Sequence, residues 1–326
     1  MQQGVDRFME LCIFLDCNTP ARELWLWTQQ FSACISLHEI SNPRERFTRY
    51  AACEGRGNEV SIKPFLKWAG GKRWLADRGD FQIPPYEGRY IEPFLGGGAI
   101  YFSIKPSKSI ISDFNHKLIE LYLAIRDEPV SISKLLFGHH KAHSKDYYYG
   151  VRAKKFESTA ERAAQFLYLN RACWNGLYRE NLKGEFNVPI GTKSIISFDD
   201  DDFEAVSAAL AGAEIRCCDF EETINEARTG DFLFVDPPYT TAHNFNGFVK
   251  YNQKIFSWED QVRLRHCVLS AVSRGAKVIV TNADHPSISE LYRNVGGHSR
   301  VTRPSVISGK ASGRKVTSEL IIRFNM

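Results

Sequence analysis

The cysteines of this sequence lack any arrangement that would hold a metal or build a disulfide framework. Eight cysteines occur among 326 residues, without a C-x-x-C pair, without zinc-ligand spacing and without a signal peptide before them. We therefore expect reduced thiols and a cytoplasmic protein. His139 and His143 stand one helical turn apart, but the glutamate of a metalloprotease helix is missing, so we predict no metal site there.

Long apolar runs are also absent. No segment approaches the roughly 20 apolar residues that a helix needs to span a bilayer, so we expect no membrane association. Hydrophobic residues make up 43% of the chain and charged residues 25%, which is typical of a globular protein with one large domain and an insert, or with two domains. The net charge of +4 permits a polyanionic partner without requiring one. The acidic run at 199–202 indicates a solvated turn or a helix start.

Methionine is scarce and occurs only as Met1, Met9 and Met326, so a later start would need another codon, such as that of Val60. Residues 1–60 contain no repeat and no chemical motif, although they hold half of the cysteines. We interpret them as an N-terminal extension of unknown role. The compact fold is predicted to begin near Phe65.

A loop at 65–73 places two glycines between Trp68 and Lys72. It is not a phosphate-binding loop, because Leu66 stands where the first glycine belongs and Arg73 replaces the Ser or Thr that binds magnesium. The pattern is typical of a loop that lets backbone approach a ligand. Core or lid packing for Trp68 and a surface position for Lys72 remain open alternatives.

A strand, a glycine-rich turn and a helix are predicted over residues 89–101, and a second strand then ends in Asp113. Gly96 and Gly98 allow a ligand to approach this turn, and the helix start adds the positive end of a dipole. A dinucleotide G-x-G-x-x-G is absent, because Tyr101 occupies its last position. An acid about 20 residues farther on can hold ribose hydroxyls. The order predicts the nucleoside-binding half of an α/β sheet, with a plain βαβ unit as the alternative.

A buried strand is predicted over residues 232–235, and the tetrapeptide Asp236, Pro237, Pro238 and Tyr239 follows it. Open α/β sheets bind ligands at this end of a strand. Two prolines stiffen the backbone, while a carboxylate and an aromatic face can accept hydrogen bonds from an amino group and stack on the ring that carries it. An enzyme that handles an extruded nucleobase requires these groups. An acidic turn that merely closes the strand is the alternative.

The alternation of strands and helices stops between residues 131 and 213. Helical runs there lead into a polar, aromatic and basic stretch, in which an Asn-Gly turn at Asn175 lies between Trp174 and Arg179. Arginine can read guanine edges, leucine can contact a thymine methyl, and an aromatic can wedge between base steps. We interpret this insert as a substrate-reading module. A hairpin with a half-buried Trp is the alternative.

The sheet is predicted to resume at 213–218, before Asp219 and Phe220, and to include further strands at 277–282 and 319–324. A basic stretch with Ser and Gly precedes the last strand and contains Arg300, Arg303, Lys310, Arg314 and Lys315. We predict that this stretch is a flexible loop suited to phosphate contacts, with a simple solvated loop as the alternative.

The motifs, taken in order, resemble those of the Dam-type DNA adenine N6-methyltransferases. The shared motifs are Lys67-Trp68-Ala69-Gly70-Gly71-Lys72, Glu92-Pro93-Phe94-Leu95-Gly96-Gly97-Gly98, Ser112-Asp113-Phe114-Asn115, Asn175-Gly176-Leu177-Tyr178-Arg179, Gly184-Glu185-Phe186-Asn187-Val188-Pro189 and Asp236-Pro237-Pro238-Tyr239. The resemblance covers residues 65–324. It implies a Rossmann-like class I α/β fold that uses S-adenosylmethionine, with a catalytic domain at 61–130 and 214–326 and an inserted, mainly helical target-recognition domain at 131–213.

The resemblance also implies roles for single residues. The catalytic group would be Asp236, Pro237, Pro238 and Tyr239, which would hold a flipped adenine. The implied cofactor contacts are Trp68, Lys72, Glu92, Phe94, Gly96, Gly98, Asp113, Asp219, Phe220 and Asp236. The implied DNA contacts are Lys67, Trp174, Asn175, Leu177, Arg179, Arg314 and Lys315, with Trp174 standing where family members often carry Tyr. The partner would be duplex DNA with GATC as the target, bound by a monomer without a metal.

Other functions stay open at this point. Cytosine N4-methylation uses the same fold on a similar amine, although Asp236 before Pro-Pro-Tyr, rather than Ser, favours adenine. Protein glutamine methylation would place Asn at that position and gives no reason for the large insert. A non-catalytic DNA-binding protein that retained the fold would bind the cofactor without transferring a methyl group.

Overall fold

A computed structural model of the chain describes residues 62–242, 256–304 and 316–326. The strands are β1 (Tyr90–Glu92), β2 (Ser109–Asp113), β3 (Ala213–Cys217), β4 (Phe232–Val235), β5 (Lys277–Ala283), β6 (Gly297–Pro304) and β7 (Val316–Phe324). The helices are α1 (Arg73–Ala76), α2 (Ala99–Ile104), α3 (His116–Asp127), α4 (Pro129–Ala142), α5 (Lys145–Ala153), α6 (Thr159–Ala172), α7 (Phe203–Leu210), α8 (Phe220–Asn225), α9 (Trp258–Ser273) and α10 (Pro286–Leu291).

The strands form one sheet in the order β3-β2-β1-β4-β5-β7-β6. The first five strands in this order are parallel, whereas β7 runs antiparallel to both β5 and β6. The direction in which the chain adds strands reverses between β1 and β4, and such a switch point is where open α/β sheets bind ligands. The sheet confirms the Rossmann-like α/β fold predicted from the sequence.

Both faces of the sheet are covered, which explains the continuous apolar run of β4. Phe232 and Phe234 belong to a core cluster on one face, and Leu233 and Val235 belong to a second cluster on the other. Successive side chains of a strand point to opposite faces, so a strand buried on both faces needs an apolar residue at each position. The chain therefore leaves β4, the middle strand of the sheet, directly at Asp236.

Helices α3 to α7 and a hairpin lie between β2 and β3. Pro129 begins α4 as its first residue, where its missing N–H is not needed. Helix α6 continues to Ala172 and buries the polar side chains of Asn170 and Arg171.

Arg171 forms a buried ion pair within the insert and also donates a hydrogen bond to the loop at 65–73. The Arg171 guanidinium donates to both carboxylate oxygens of Asp201 at 2.6 and 2.7 Å, and to the carbonyl of Phe65 at 2.6 Å. Asp202, the next residue, accepts a hydrogen bond from Ala205 N and caps α7. The acidic run at 199–202 is thus a helix start, as predicted, and one of its members is also a structural ion-pair partner.

Part of the basic stretch before the last strand lies in a strand, which corrects the sequence prediction of a loop. Arg300 lies in β6, and its Nε donates to the Asp284 carboxylate at 2.9 Å. The predicted DNA contacts Arg314 and Lys315, like residues 1–61 and 243–255, lie outside the described residues. In the part of the chain that the structure describes, no helix is long and apolar enough to cross a membrane.

Candidate active site

Three acidic residues converge at the carboxyl ends of three neighbouring parallel strands. Glu92 ends β1, Asp113 ends β2, and Asp236 follows β4. Parallel strands end at the same edge of a sheet, so residues far apart in the sequence meet there. The structure brings the glycine turn, the acid of β2 and the Asp236–Tyr239 tetrapeptide together at one edge of the sheet.

Asp236 is held through one of its two carboxylate oxygens. Lys72 Nζ lies 2.8 Å from Oδ1, and the hydroxyl of Thr281 at the end of β5 donates to the same atom at 2.6 Å. Burial raises the pKa of the Asp236 carboxyl, and the Lys72 ammonium and the Thr281 hydroxyl partly offset this rise. Among the described residues both bonds fall on Oδ1, so Oδ2 can accept a hydrogen bond from a ligand.

Lys72 is not the surface lysine that the sequence left open. It is 3% exposed, donates to the carbonyl of Gly70 at 2.7 Å, and lies 4.9 Å from the ring centroid of Tyr239. A second carboxylate, that of Glu319, lies 3.6 Å from Lys72 Nζ. A cation buried in this way is stable only because carboxylates and carbonyls surround it.

The hydroxyl of Tyr239 contacts β7. The hydroxyl donates to Glu319 Oε2 at 2.6 Å, and burial together with the nearby carboxylates raises the pKa of Tyr239 well above its usual value. Pro238 is fixed through its carbonyl, which accepts from Gln261 Nε2 at 3.3 Å. Gln261 in turn accepts from the amide of Asn282 at 3.0 Å. The tetrapeptide is therefore braced from α9, β5 and β7.

The glycine turn is built to keep side chains out of the site. Gly96 has a φ of 49°, and a Cβ placed on it would lie 2.7 Å from Cδ1 of Trp68. Its N–H donates to Asp113 Oδ2 at 2.9 Å, and Asn115 N donates to the other oxygen of Asp113 at 2.9 Å. Asp113 thus shapes the turn, and each carboxylate oxygen still has a lone pair for a further donor. Gly98 also has a positive φ, of 65°.

Trp68 connects the glycine turn to the insert. Its ring stacks on Tyr178 at 5.4 Å and on Phe166 at 6.3 Å, with interplanar angles of 27° and 25°. The Trp68 side chain also lies close to Gly96. Trp68 is therefore partly a packing residue, which was the alternative considered from the sequence, and it also lies against the turn that a ligand would approach.

Glu92 has an unusual environment for an acid. It is buried, and the hydroxyl of Tyr90 donates to its Oε2 at 2.7 Å. Burial raises the pKa of Glu92 well above its usual range, and the neighbouring carboxylates of Asp236 and Asp113 raise it further.

An aromatic wall lies beside β3. Phe94 and Phe220 stack at a centroid distance of 5.4 Å, and Phe256 meets both rings at 5.8 Å. The carboxylate of Asp219 accepts from both terminal nitrogens of Arg263, at 2.6 and 3.0 Å, and caps α8. The predicted cofactor residues Phe94, Asp219 and Phe220 therefore lie together, and Arg263 fixes Asp219 in place.

A hairpin in the insert spans residues 173–190 and is held by two antiparallel bridges, Cys173 with Ile190 and Glu180 with Phe186. Trp174 is 49% exposed at its start, and Asn175 follows with a φ of 56°. The exposure of Trp174 fits the half-buried alternative and also leaves its ring accessible.

Lys67 and the hairpin are adjacent in space. A Cβ placed on Gly176 would lie 2.6 Å from Cδ of Lys67, so the two backbones could not approach this closely with any other residue at 176. Leu177 packs against the core. Arg179 donates from Nε to Asn187 Oδ1 at 2.7 Å, which orients its guanidinium along the hairpin. The predicted DNA contacts Lys67, Trp174, Asn175, Leu177 and Arg179 therefore form one neighbourhood.

The sequence alone did not identify four residues that lie around the site, namely Asn170, Gln261, Thr281 and Glu319. Thr281 follows the apolar run of β5, and Glu319 precedes the apolar run of β7. A polar residue within a buried strand is the signal that could have identified both. Asn170 and Gln261 are fully buried amides on helices, and no local pattern distinguishes them from surface residues.

His139 in α4 and His143 directly after it each pair with a tyrosine. His139 Nδ1 lies 2.9 Å from the hydroxyl of Tyr147, and His143 Nδ1 lies 2.8 Å from that of Tyr168. Among the described residues, no group of three or more His, Cys, Asp or Glu side chains is arranged to hold a metal. These histidines serve the packing of the insert.

The chain is similar to proteins that methylate adenine in DNA. Residues 68–306 match the family model of the D12 class N6 adenine-specific DNA methyltransferases. The chain is 37% identical over 274 residues to the type II methyltransferase M1.LlaDCHI of Lactococcus lactis subsp. cremoris, an alignment that covers 81% of this chain and 96% of the relative.

Two further relatives extend this similarity. The type II methyltransferase M.MjaIII of Methanocaldococcus jannaschii is 36% identical, with 69% of this chain and 85% of the relative covered. The DNA adenine methylase of Haemophilus influenzae is 33% identical, with 82% and 95% covered. The converging acids, the Asp236–Tyr239 tetrapeptide and these matches agree: the chain belongs to the D12 class of N6 adenine-specific DNA methyltransferases.

Proposed function

We propose that this enzyme transfers a methyl group from S-adenosylmethionine to N6 of an adenine flipped out of duplex DNA, with GATC as the target sequence. The observation that carries the proposal is the geometry of Asp236. Its carboxylate lies at the carboxyl end of β4 with Oδ1 occupied by Lys72 and Thr281, and Oδ2 is available to an amine.

The residues at the edge of the sheet fit this methyl donor. Gly96 and Gly98 leave the turn after β1 without side chains, and Asp113 supplies an acid at the end of the adjacent strand for ribose hydroxyls. Phe94 and Phe220 offer an apolar surface. The full set of residues that we propose to hold the donor is Trp68, Lys72, Glu92, Phe94, Gly96, Gly98, Asp113, Asp219, Phe220 and Asp236. When bound, S-adenosylmethionine would supply an electrophilic methyl group on a sulfonium.

The tetrapeptide would prepare the amine for attack. The exocyclic amine of adenine is a poor nucleophile because its lone pair is delocalised into the ring. Hydrogen bonds from the amine to Asp236 and to the Pro237 carbonyl favour a tetrahedral nitrogen, and Tyr239 stacks on the extruded base. Transfer of the sulfonium methyl to this amine, with the bonding pair left on sulfur, would require the nitrogen to release one proton. Asp236, whose pKa is raised by burial, can accept that proton.

The hairpin neighbourhood would read the DNA. Lys67, Leu177 and Arg179 would contact base edges, Trp174 would wedge into the space left by the flipped base, and Asn175 would contact the backbone. Arg314 and Lys315 would contact phosphates. We propose a monomer acting on cytoplasmic DNA, with the catalytic domain at 61–130 and 214–326 and the target-recognition domain at 131–213.

One experiment tests both the base and the sequence. The chain is expressed in a host that lacks DNA methylation, and modified bases are mapped by long-read sequencing, with Asp236→Ala as the control. We expect N6-methyladenine in GATC with the wild-type chain and none with the variant. No modified adenine would refute the proposal, whereas modified adenine in another motif would refute GATC alone.

A further inference from the structure

Glu319 is a buried acid next to the catalytic tetrapeptide that belongs to none of the motifs recognised in the sequence. It lies on β7, opposite Ala283 at the end of β5, and is 2% exposed. Its Oε2 accepts the Tyr239 hydroxyl at 2.6 Å and lies 3.6 Å from Lys72 Nζ. A buried carboxylate needs hydrogen-bonding or charged partners of this kind. Tyr239 and Lys72, however, do not need a second carboxylate in order to be buried here.

Lys72 is placed between two acids. Its Nζ lies 2.8 Å from Asp236 Oδ1 and 3.6 Å from Glu319 Oε2. The three groups carry a net charge of −1 when both carboxylates are ionised. With Asp236 alone, the ammonium would neutralise the group that must accept hydrogen bonds from the target amine. With Glu319 present, the ammonium is shared, and the cluster remains negative.

A negative cluster suits this reaction. Positive charge moves from the donor's sulfonium to the target nitrogen during transfer, and a fixed negative charge nearby stabilises that nitrogen in a pocket of low dielectric constant. The same carboxylate holds the hydroxyl of Tyr239, so it also sets the orientation of the ring that would stack on the base.

We propose that Glu319 is a positioning residue for methyl transfer, which acts by fixing the Tyr239 ring and by sharing the charge of Lys72 so that Asp236 remains a good acceptor. The inference rests on the proposed function, because Tyr239 and Asp236 are assigned there to the target base. It adds a residue of β7 to the catalytic apparatus, at a position that only the antiparallel pairing of β7 with β5 brings into the site.

The decisive variant is Glu319→Gln, which keeps the size of the side chain and an oxygen acceptor but removes the charge. We expect single-turnover methylation at saturating donor and DNA to slow on the order of 10- to 100-fold, with little change in the dissociation constants of donor and DNA. Glu214→Gln is the matched control, because Glu214 is a strand carboxylate of the same sheet whose side chain is 57% exposed. We expect it to leave the rate unchanged.

Tyr239→Phe tests the same hydrogen bond from its other end, and it keeps the aromatic ring. Because Glu319→Gln weakens the charge-assisted hydrogen bond that Tyr239→Phe removes, the double variant Glu319→Gln/Tyr239→Phe should lose less than the product of the two single losses. With 2-aminopurine in place of the target adenine, both single variants should change the fluorescence of the flipped base relative to wild type. A structural role alone would predict neither the coupling nor this signal.

A wild-type rate for Glu319→Gln, or losses that multiply independently with those of Tyr239→Phe, would overturn the inference. If Glu319→Gln does not fold, the fluorescence of Tyr239→Phe decides, since an unchanged signal would show that the hydroxyl contact does not orient the ring. Failure of the proposed function is a separate result, because it would appear as absent adenine methylation by the wild-type chain.

Discussion

The side-chain amide of Asn170 forms hydrogen bonds with both the backbone N–H and the backbone carbonyl of Lys67. Oδ1 accepts from Lys67 N at 3.0 Å, and Nδ2 donates to Lys67 O at 2.8 Å, across a separation of 103 residues. Nδ2 also lies 3.5 Å from the carbonyl of Gly176, at the start of the hairpin. One buried amide therefore fixes the relation between the two segments that we propose to read bases.

Asn170→Asp should weaken sequence discrimination more than catalysis. The aspartate keeps the shape but replaces two donors by a carboxylate oxygen that faces the carbonyls of Lys67 and Gly176, at a cost of about 1–3 kcal/mol. We expect the ratio of kcat/KM between a cognate duplex and one with a single changed base pair to fall at least several-fold. The measurement is steady-state methylation of both duplexes.

Asn225→Asp provides the control for the Asn170 experiment, because Asn225 is exposed at the end of α8. It introduces the same chemical change without touching either segment. Discrimination that is unchanged in Asn170→Asp, while the variant remains folded, would show that Lys67 and the hairpin keep their relation without the amide.

Local patterns were sufficient to predict the central sheet and the edge at which Asp113 and Asp236 lie. The apolar run of β4 and the short runs of β1, β2 and β5 identify buried strands, and the acids that follow them mark the ligand-binding edge. Asp113 and Asp236 could be chosen in this way because each lies at the end of its own strand. The resemblance to a known family then supplied roles that the spacing alone does not give.

Contacts between distant segments could not be predicted in this way. Glu319 reaches the site only because β7 pairs antiparallel with β5, and Asn170 reaches Lys67 only through the packing of α6. Arg300 was assigned to a loop because its surroundings are basic and polar, although pairing with β7 makes it part of β6. Edge strands of this kind bury little apolar surface, so their sequence carries a weak signal.

Gly176→Ala should impair DNA recognition while leaving the donor site intact. The residue has a φ of 66°, which an alanine adopts only with strain, and its Cβ would lie 2.6 Å from Cδ of Lys67. We expect a KM for DNA at least tenfold higher and an unchanged dissociation constant for the donor.

The matched change for this experiment is Gly150→Ala, in α5. No atom lies within 4 Å of a Cβ placed there, and alanine in a helix is favoured over glycine by about 1 kcal/mol. Gly150→Ala should therefore melt at the same or a higher temperature and methylate normally. A normal KM for Gly176→Ala would mean that Lys67 moves aside without consequence.

Adjacent aspartates should respond very differently to the same substitution. Asp201→Asn leaves the buried Arg171 guanidinium without its charge partner, which we expect to lower the free energy of unfolding by about 3–5 kcal/mol. Asp200→Asn removes only an exposed pair with Lys63, so we expect it to leave the free energy of unfolding nearly unchanged. Urea denaturation of both variants measures the difference, and equal stability of the two would contradict the anchoring role of Arg171.

Catalysis should fail on acidification in a way that depends on Lys72. Transfer requires ionised Asp236, whose pKa is raised by burial and lowered again by the Lys72 ammonium, so kcat should fall as the pH drops through that raised pKa. Lys72→Met removes the lowering influence, so the pKa of Asp236 rises further and the acidic limb of the kcat profile moves to higher pH. The profile is measured at saturating donor and DNA, because Lys72 is also a proposed donor contact.

Lys63→Met, which removes an exposed ammonium, should leave the limb in place. A limb that stays fixed in Lys72→Met would show that the group titrating in catalysis is not Asp236.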